Sequence, residues 1–159
     1  MTIEKEELAT LLPHSGRMLL LSRINEYDPE KRYLCAEYDI TEDCLFYDPN
    51  LGGVPAWAGF EFMAQGLAAL SGLCGREKGE KPKIGFILSI SSLRISFPFF
   101  KTGSTALIKI TESGRMESVY SFEGEIFCGG EKFLEGKLTA MDASDKQIKS
   151  MIKEKTLHD

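Results

Sequence analysis

Long hydrophobic runs are missing from this sequence: the longest stretch free of charge, Phe62 to Gly75, has 14 residues, where a membrane-spanning helix needs about 20 apolar ones. No transmembrane span is expected. Positive charge is also short, with 19 basic residues against 24 acidic ones and a net charge of -5. That balance argues against counterion-driven binding to nucleic acid. Cysteine and histidine are few. Cys35, Cys44, Cys74 and Cys128 are separated by 9, 30 and 54 residues, with no Cys-x-x-Cys pair, and His14 and His158 lie far from them. This spacing predicts free, mostly buried thiols and no structural metal site. No Gly-x-Ser-x-Gly elbow and no cysteine beside a candidate base supports covalent acyl transfer. No glycine-rich loop follows a strand as a dinucleotide or phosphate-binding loop requires. Internal repeats and low-complexity segments are absent too. The N-terminus, Met1-Thr-Ile-Glu-Lys-Glu-Glu, is acidic where a secretory signal is basic and then apolar, so a cytoplasmic protein is expected.

What remains is enough for one domain: 159 residues, 43% of them hydrophobic, can bury a sizeable core. We expect a single domain over 1–142 and a charged tail over 143–159, either a frayed helix or a disordered end. Ile3 to Leu12 reads as a short helix ended by Pro13. Met18 to Tyr27 and Arg32 to Ile40 read as a hairpin joined by Asp28-Pro29-Glu30-Lys31. The chain from Thr41 to Val54 is irregular. Pro55 to Arg76 predicts one long helix, apolar almost all round, which the rest of the chain must wrap; Gly59, Gly66 and Gly72 would let strands approach it. Ile84 to Phe97, Thr105 to Met116, Ser118 to Phe127 and Lys132 to Ala140 read as four further strands, the last two joined at Gly129-Gly130. The order predicts an α+β architecture, an antiparallel sheet of about six strands wrapped around one long central helix.

Glu61 is the most informative residue. It is the only charged residue between Pro49 and Gly75, and Gln65, one turn later, is its polar neighbour. Two readings are open: a carboxylate on a solvent strip, or a buried functional acid that desolvation keeps protonated near neutral pH. The second is favoured by the lack of other charge on the helix. Gly52-Gly53-Val54-Pro55 supplies no capping side chain, so the first helical amides are either free for a ligand oxygen or capped by water. His14 is the only histidine outside the tail, and it is either a base or a packing residue. His158 is expected to be inert. Cys44, Tyr47 and Asp48 either face a pocket or serve turns.

Three stretches carry a resemblance: Leu12-Pro13-His14 with Met18-Leu-Leu-Leu-Ser-Arg, then Pro55-Ala-Trp-Ala-Gly-Phe-Glu-Phe-Met-Ala-Gln, then Gly85-Phe-Ile-Leu-Ser-Ile-Ser-Ser-Leu-Arg-Ile-Ser-Phe-Pro. Together they resemble the hotdog-fold 3-hydroxyacyl-[acyl-carrier-protein] dehydratases over roughly residues 10–140, and are most similar to the branch found with aryl-polyene biosynthesis. The resemblance implies a central helix enclosed by the sheet, two subunits sharing one continuous sheet, and a substrate entering between them on a phosphopantetheine arm. It matches the family's acid to Glu61, its glutamine to Gln65, and its Pro-Gly-Val helix start to Pro55-Ala56-Trp57, with alanine in place of glycine. The family's Gly-His-Phe-Pro histidine, fourteen residues before the acid, aligns with Tyr47. The usual base is absent, and His14 is its only substitute.

The function implied is dehydration of a 3-hydroxyacyl thioester to a 2-enoyl thioester. His14 would remove the proton next to the carbonyl, Glu61 would protonate the departing hydroxyl, and the Ala56 and Trp57 amides would stabilise the oxygen. Gln65, Tyr47 and Phe60 would join Ala56 and Trp57 in binding substrate, and Phe46, Trp57, Phe60 and Phe62 would line an acyl tunnel or belong to the core. No bound cofactor or metal is implied. Expected partners are acyl carrier protein, the acyl thioester and a second hotdog chain, as a homodimer or a heterodimer. Two rivals remain, a hotdog thioesterase with Glu61 activating water and a non-catalytic subunit that binds acyl carrier protein or an active dehydratase.

Overall fold

Turn chemistry sets the hairpins. In the computed structural model, which describes residues 2–12, 14–79 and 84–143, the Asp28 carboxylate accepts the amides of Glu30 (3.0 Å) and Lys31 (3.2 Å). These bonds close the turn between β2 (Arg23–Asp28) and β3 (Tyr33–Asp39), the hairpin the sequence predicts. Gly129 and Gly130, at φ +60° and +81°, form the two-residue turn between β8 (Val119–Cys128) and β9 (Glu131–Ala143). Residues with a Cβ resist that backbone at both positions. A tight joint at Glu117 links β7 (Thr105–Met116) to β8.

With β1 (Ile3–Glu4) and β5 (Ile84–Ile95), these strands make one antiparallel sheet in the order β1-β2-β3-β7-β8-β9-β5. The six strands expected from sequence are β2, β3, β5, β7, β8 and β9. Three short ones were not foreseen. Ile3 and Glu4 pair with Ile24 and Arg23, so only α1 (Lys5–Leu8) of the expected N-terminal helix is helical. β4 (Gly53–Pro55) and β6 (Phe99–Lys101) form a ladder of their own. The strand expected from Met18 begins only at Arg23, because Gly16–Met18 is a 3-10 turn and Leu20 after it donates its amide to Gln65 of the helix instead.

The helix starts as a 3-10 turn (Ala56–Ala58) and continues as α2 (Gly59–Glu77). The sheet's alternation aims one face at it: Ala106, Ile108 and Ile110 of β7 and Tyr120, Phe122 and Ile126 of β8 are all buried. Phe62 of α2 is fully buried, edge-on to Tyr38 at 4.9 Å and tilted against Phe100 at 5.6 Å. Burying such a ring is worth about 1.5–3 kcal/mol. The helical glycines do admit close neighbours: a Cβ at Gly59 would stand 2.7 Å from Leu134 Cδ2.

The sheet wraps the helix as expected, and Phe60, Glu61, Ala64, Ala68 and Ser71 form a half-buried strip along it. A single sheet covers only part of a helix's circumference. The strip repeats every three or four residues and so lies along one face.

The sheet also ends on an apolar edge. On β5, Ile87, Leu88, Ile90, Leu93 and Ile95 are all exposed, Leu88 at 53%, and only β9 pairs with it. All four cysteines are buried and free, as expected. The tail beyond Ala143 and His158 lie outside the described residues.

Candidate active site

His14 sits on a limb that leaves the N-terminal arm after buried Leu11 and Leu12, turns through Gly16–Met18 and re-enters the core with Leu19, Leu20 and Leu21. Its ring is half-buried. Nδ1 is buried with no hydrogen-bond partner among the described residues, so Nε2 is the nitrogen left open to a ligand. Arg17 of the same limb donates through Nε to the Asp43 carbonyl (3.0 Å) and through Nη2 to the Cys44 carbonyl (3.3 Å). These bonds tie the limb to the irregular segment before the helix. Cys44 anchors that segment by donating from Sγ to the Asp39 carbonyl at 3.4 Å, and burial, reinforced by Cys44, pushes the Tyr38 phenol above its ordinary range. Sequence reasoning passed over Arg17; an arginine three residues past the only globular histidine was the available signal.

Glu61 is half-buried and has no hydrogen bond or ion pair among the described residues. Of the two sequence readings, neither fits whole, because the carboxylate is neither enclosed by this chain nor on a fully solvated strip. One turn on, Gln65 is 4% exposed, the one buried polar side chain among the described residues. Its Oε1 accepts the Leu20 amide (2.6 Å) and its Nε2 donates to the Met18 carbonyl (2.7 Å). The expected part for Gln65 in substrate binding is thus corrected: a buried amide needs partners, and this one finds them in the limb's backbone. Glu61 and Gln65 share a helical face, so the limb bearing His14 is bonded to the face that carries Glu61.

The helix start is also revised. The Ala56 amide, expected to be free, donates to the Pro98 carbonyl at 3.0 Å and extends the β4–β6 ladder by one bond. The Trp57 amide has no acceptor within the helix, and no described hydrogen bond uses it. The Trp57 side chain is 52% exposed and meets Phe46 edge-on at 5.4 Å. Phe60 and Tyr47 are half-buried and pack against the core, whereas Phe62 belongs to the core outright. Asp48 serves the turn, its carboxylate accepting the Asn50 amide at 2.9 Å.

Two surface depressions are present, one bordering the limb and one on the sheet. One of about 500 Å³ is lined by Lys5, Arg17, Arg23, Asp39 and Asp43 among others, and one of about 370 Å³ sits on the sheet between Arg94, Glu123 and Lys137. Neither is lined by His14 or Glu61. Among the described residues no three His, Cys, Asp or Glu cluster as metal ligands, and no helix is long and apolar enough to cross a membrane.

The chain is similar in sequence and in fold to known proteins. The 3-hydroxyacyl-[acyl-carrier-protein] dehydratase FabZ of Wolbachia sp. subsp. Brugia malayi (strain TRS) is 28% identical over 139 residues, covering 85% of this chain and 93% of its own. A chain of the dehydratase heterocomplex ApeI:P from Xenorhabdus doucetiae superposes with a TM-score of 0.83 at 26% identity, over 91% of this chain and 96% of that one. A hypothetical thioesterase with coenzyme A from Streptococcus pneumoniae TIGR4 is 13% identical with a TM-score of 0.59, over 76% of this chain and 84% of that one. That last likeness is one of fold alone. The fold is the α+β hotdog arrangement, and residues 6–153 match the ApeP-like family, described as ApeP dehydratase. The chain therefore belongs to the ApeP-like dehydratase family.

Proposed function

We propose that this chain removes water from a 3-hydroxyacyl thioester carried on acyl carrier protein, in a fatty acid or polyene type of biosynthesis, with His14 as base and Glu61 as acid. Family membership supports the reaction class. One observation carries the residue assignment: unpartnered Glu61 stands on the helical face to which the limb of His14 is bonded. Nε2 of His14 takes the proton from carbon 2, and that electron pair forms the double bond as the bond from carbon 3 to oxygen breaks. Glu61, in its acid form, gives its proton to the departing oxygen, which leaves as water. Solvent returns the proton from imidazolium to carboxylate. The unclaimed Trp57 amide stabilises the thioester oxygen as charge develops there. Phe60 and the Trp57–Phe46 pair offer apolar surface to the acyl chain, with Tyr47 near the position of the absent family histidine.

The phosphopantetheine arm of the carrier brings the thioester to this site, and the reaction takes place in the cytoplasm. The chain works as a dimer with a second hotdog chain, a copy of itself or another dehydratase. The exposed apolar edge of β5 supports this, since a long unpaired edge invites pairing, as does the heterocomplex formed by the similar ApeI:P.

The test is Glu61→Gln, which keeps the shape and removes proton donation. Turnover to the enoyl product should fall by roughly 10²- to 10⁴-fold, read by enoyl absorbance with a thiol reagent in the same sample. Undiminished turnover in the variant would overturn the assignment. Thiol release without enoyl product from the wild type would point to the thioesterase rival, and silence in both assays with retained binding to a dehydratase chain to the non-catalytic subunit.

A further inference from the structure

The limb from His14 to Leu21 is held at its far end, where the Ser22 amide donates to the Glu37 carbonyl at 2.7 Å and the Ser22 hydroxyl accepts the Asp39 amide at 2.9 Å, and has little else to fix the stretch that bears His14. It belongs to no strand, and its backbone bonds, Met18 to Ser15 and Leu19 to Gly16, are internal. Among the described hydrogen bonds, it reaches the rest of the fold only through Arg17 and through Gln65. Burial of Leu19, Leu20 and Leu21 keeps the limb against the core, but apolar contact is non-directional and tolerates sliding. A buried amide is different. Its donor and acceptor are set by one planar group, so they fit one backbone carbonyl and one backbone amide at a single register. Gln65 supplies that group from the helix turn after Glu61.

We propose that Gln65 is a positioning residue for dehydration. By bonding Met18 and Leu20 it fixes the limb's register along α2, and so sets His14 against Glu61. The inference rests on the reading of His14 as base. It assigns Gln65 no contact with substrate, because its amide is spent on the limb. Loss of Gln65 should therefore lower the rate of the chemical step and leave substrate affinity nearly unchanged.

The experiment is a double-mutant cycle of Gln65→Leu and His14→Ala, measured on the assembled enzyme with acylated carrier protein, with thermal unfolding followed in parallel. Gln65→Leu alone should lower kcat by about 10- to 100-fold, as misplacement of a reacting group does, with KM within about twofold. In the His14→Ala background it should have almost no further effect, since the group it positions is gone. A structural role would give the same fold-loss in both backgrounds. If Gln65→Leu does not fold, Gln65→Met carries the same cycle, because its unbranched chain fills a similar volume and bonds neither Leu20 nor Met18. Wild-type kcat in the Gln65 variant beside an inactive His14→Ala would overturn the inference alone. Full activity of His14→Ala would overturn the base assignment and the positioning role with it. Equal losses in both backgrounds would leave His14 as base and refute the positioning.

Discussion

Replacing Gly72 with alanine sets two effects of similar size against each other, and the structure decides between them. In an exposed helix interior the change stabilises by about 0.8–1 kcal/mol, the difference in helix propensity. At this position a Cβ would lie 2.8 Å from the Leu11 carbonyl oxygen, where ordinary contact begins at 3.4 Å. The obstacle is backbone, so the N-terminal arm has to retreat by about 0.6 Å, the difference between those distances. Overpacking of that kind costs about 1–3 kcal/mol. The net expectation is a stability change between roughly zero and a 2 kcal/mol loss, from those two ranges. Activity should suffer more than stability, because Leu11 and Leu12 anchor the limb that carries His14 and a shift of that order reaches the imidazole. Urea unfolding gives the first quantity and initial rates of enoyl formation the second. A gain of about 1 kcal/mol with an unchanged rate, the propensity effect alone, would refute the close packing of arm on helix.

Leu88→Asp places a charge on the apolar edge of β5 and should convert a dimer to monomers in sedimentation at micromolar concentration; an undiminished dimer mass would locate the interface elsewhere. Asp39 gives a pH signature. Its hydrogen bond from Arg23 holds the carboxyl below the usual range, against the opposing effect of burial. A depressed folded value means that the stabilisation is complete above the unfolded pKa, near 4, and is lost as pH falls through the lower folded value. Wild type and Asp39→Asn should therefore differ in urea midpoint at pH 7 and converge at a pH below the folded value, with a gap below about 1 kcal/mol because the pair is partly solvated. A gap that is the same at both pH values would contradict this.

The wrapped-helix order is legible in the residues alone, because it rests on short-range signals. The alternation of β7 and β8, the Asp28 turn, the paired glycines at 129 and 130, and the long apolar run of α2 each depend on neighbours within a few residues. The same holds for Glu61, conspicuous as the single charge on that run, and for His14, conspicuous by the scarcity of its kind. Tertiary structure alone decided what the polar groups at the site do. The Ala56 amide looked free because its acceptor, Pro98, arrives through the β4–β6 ladder, and neither three-residue strand has a pattern long enough to read. Gln65 looked like a ligand group because its partners, Met18 and Leu20, lie more than 40 residues away in the chain. Which strip of the helix stays half-buried was equally hidden: apolar composition says that a face must be buried, and only the finite width of one sheet says which strip is left over.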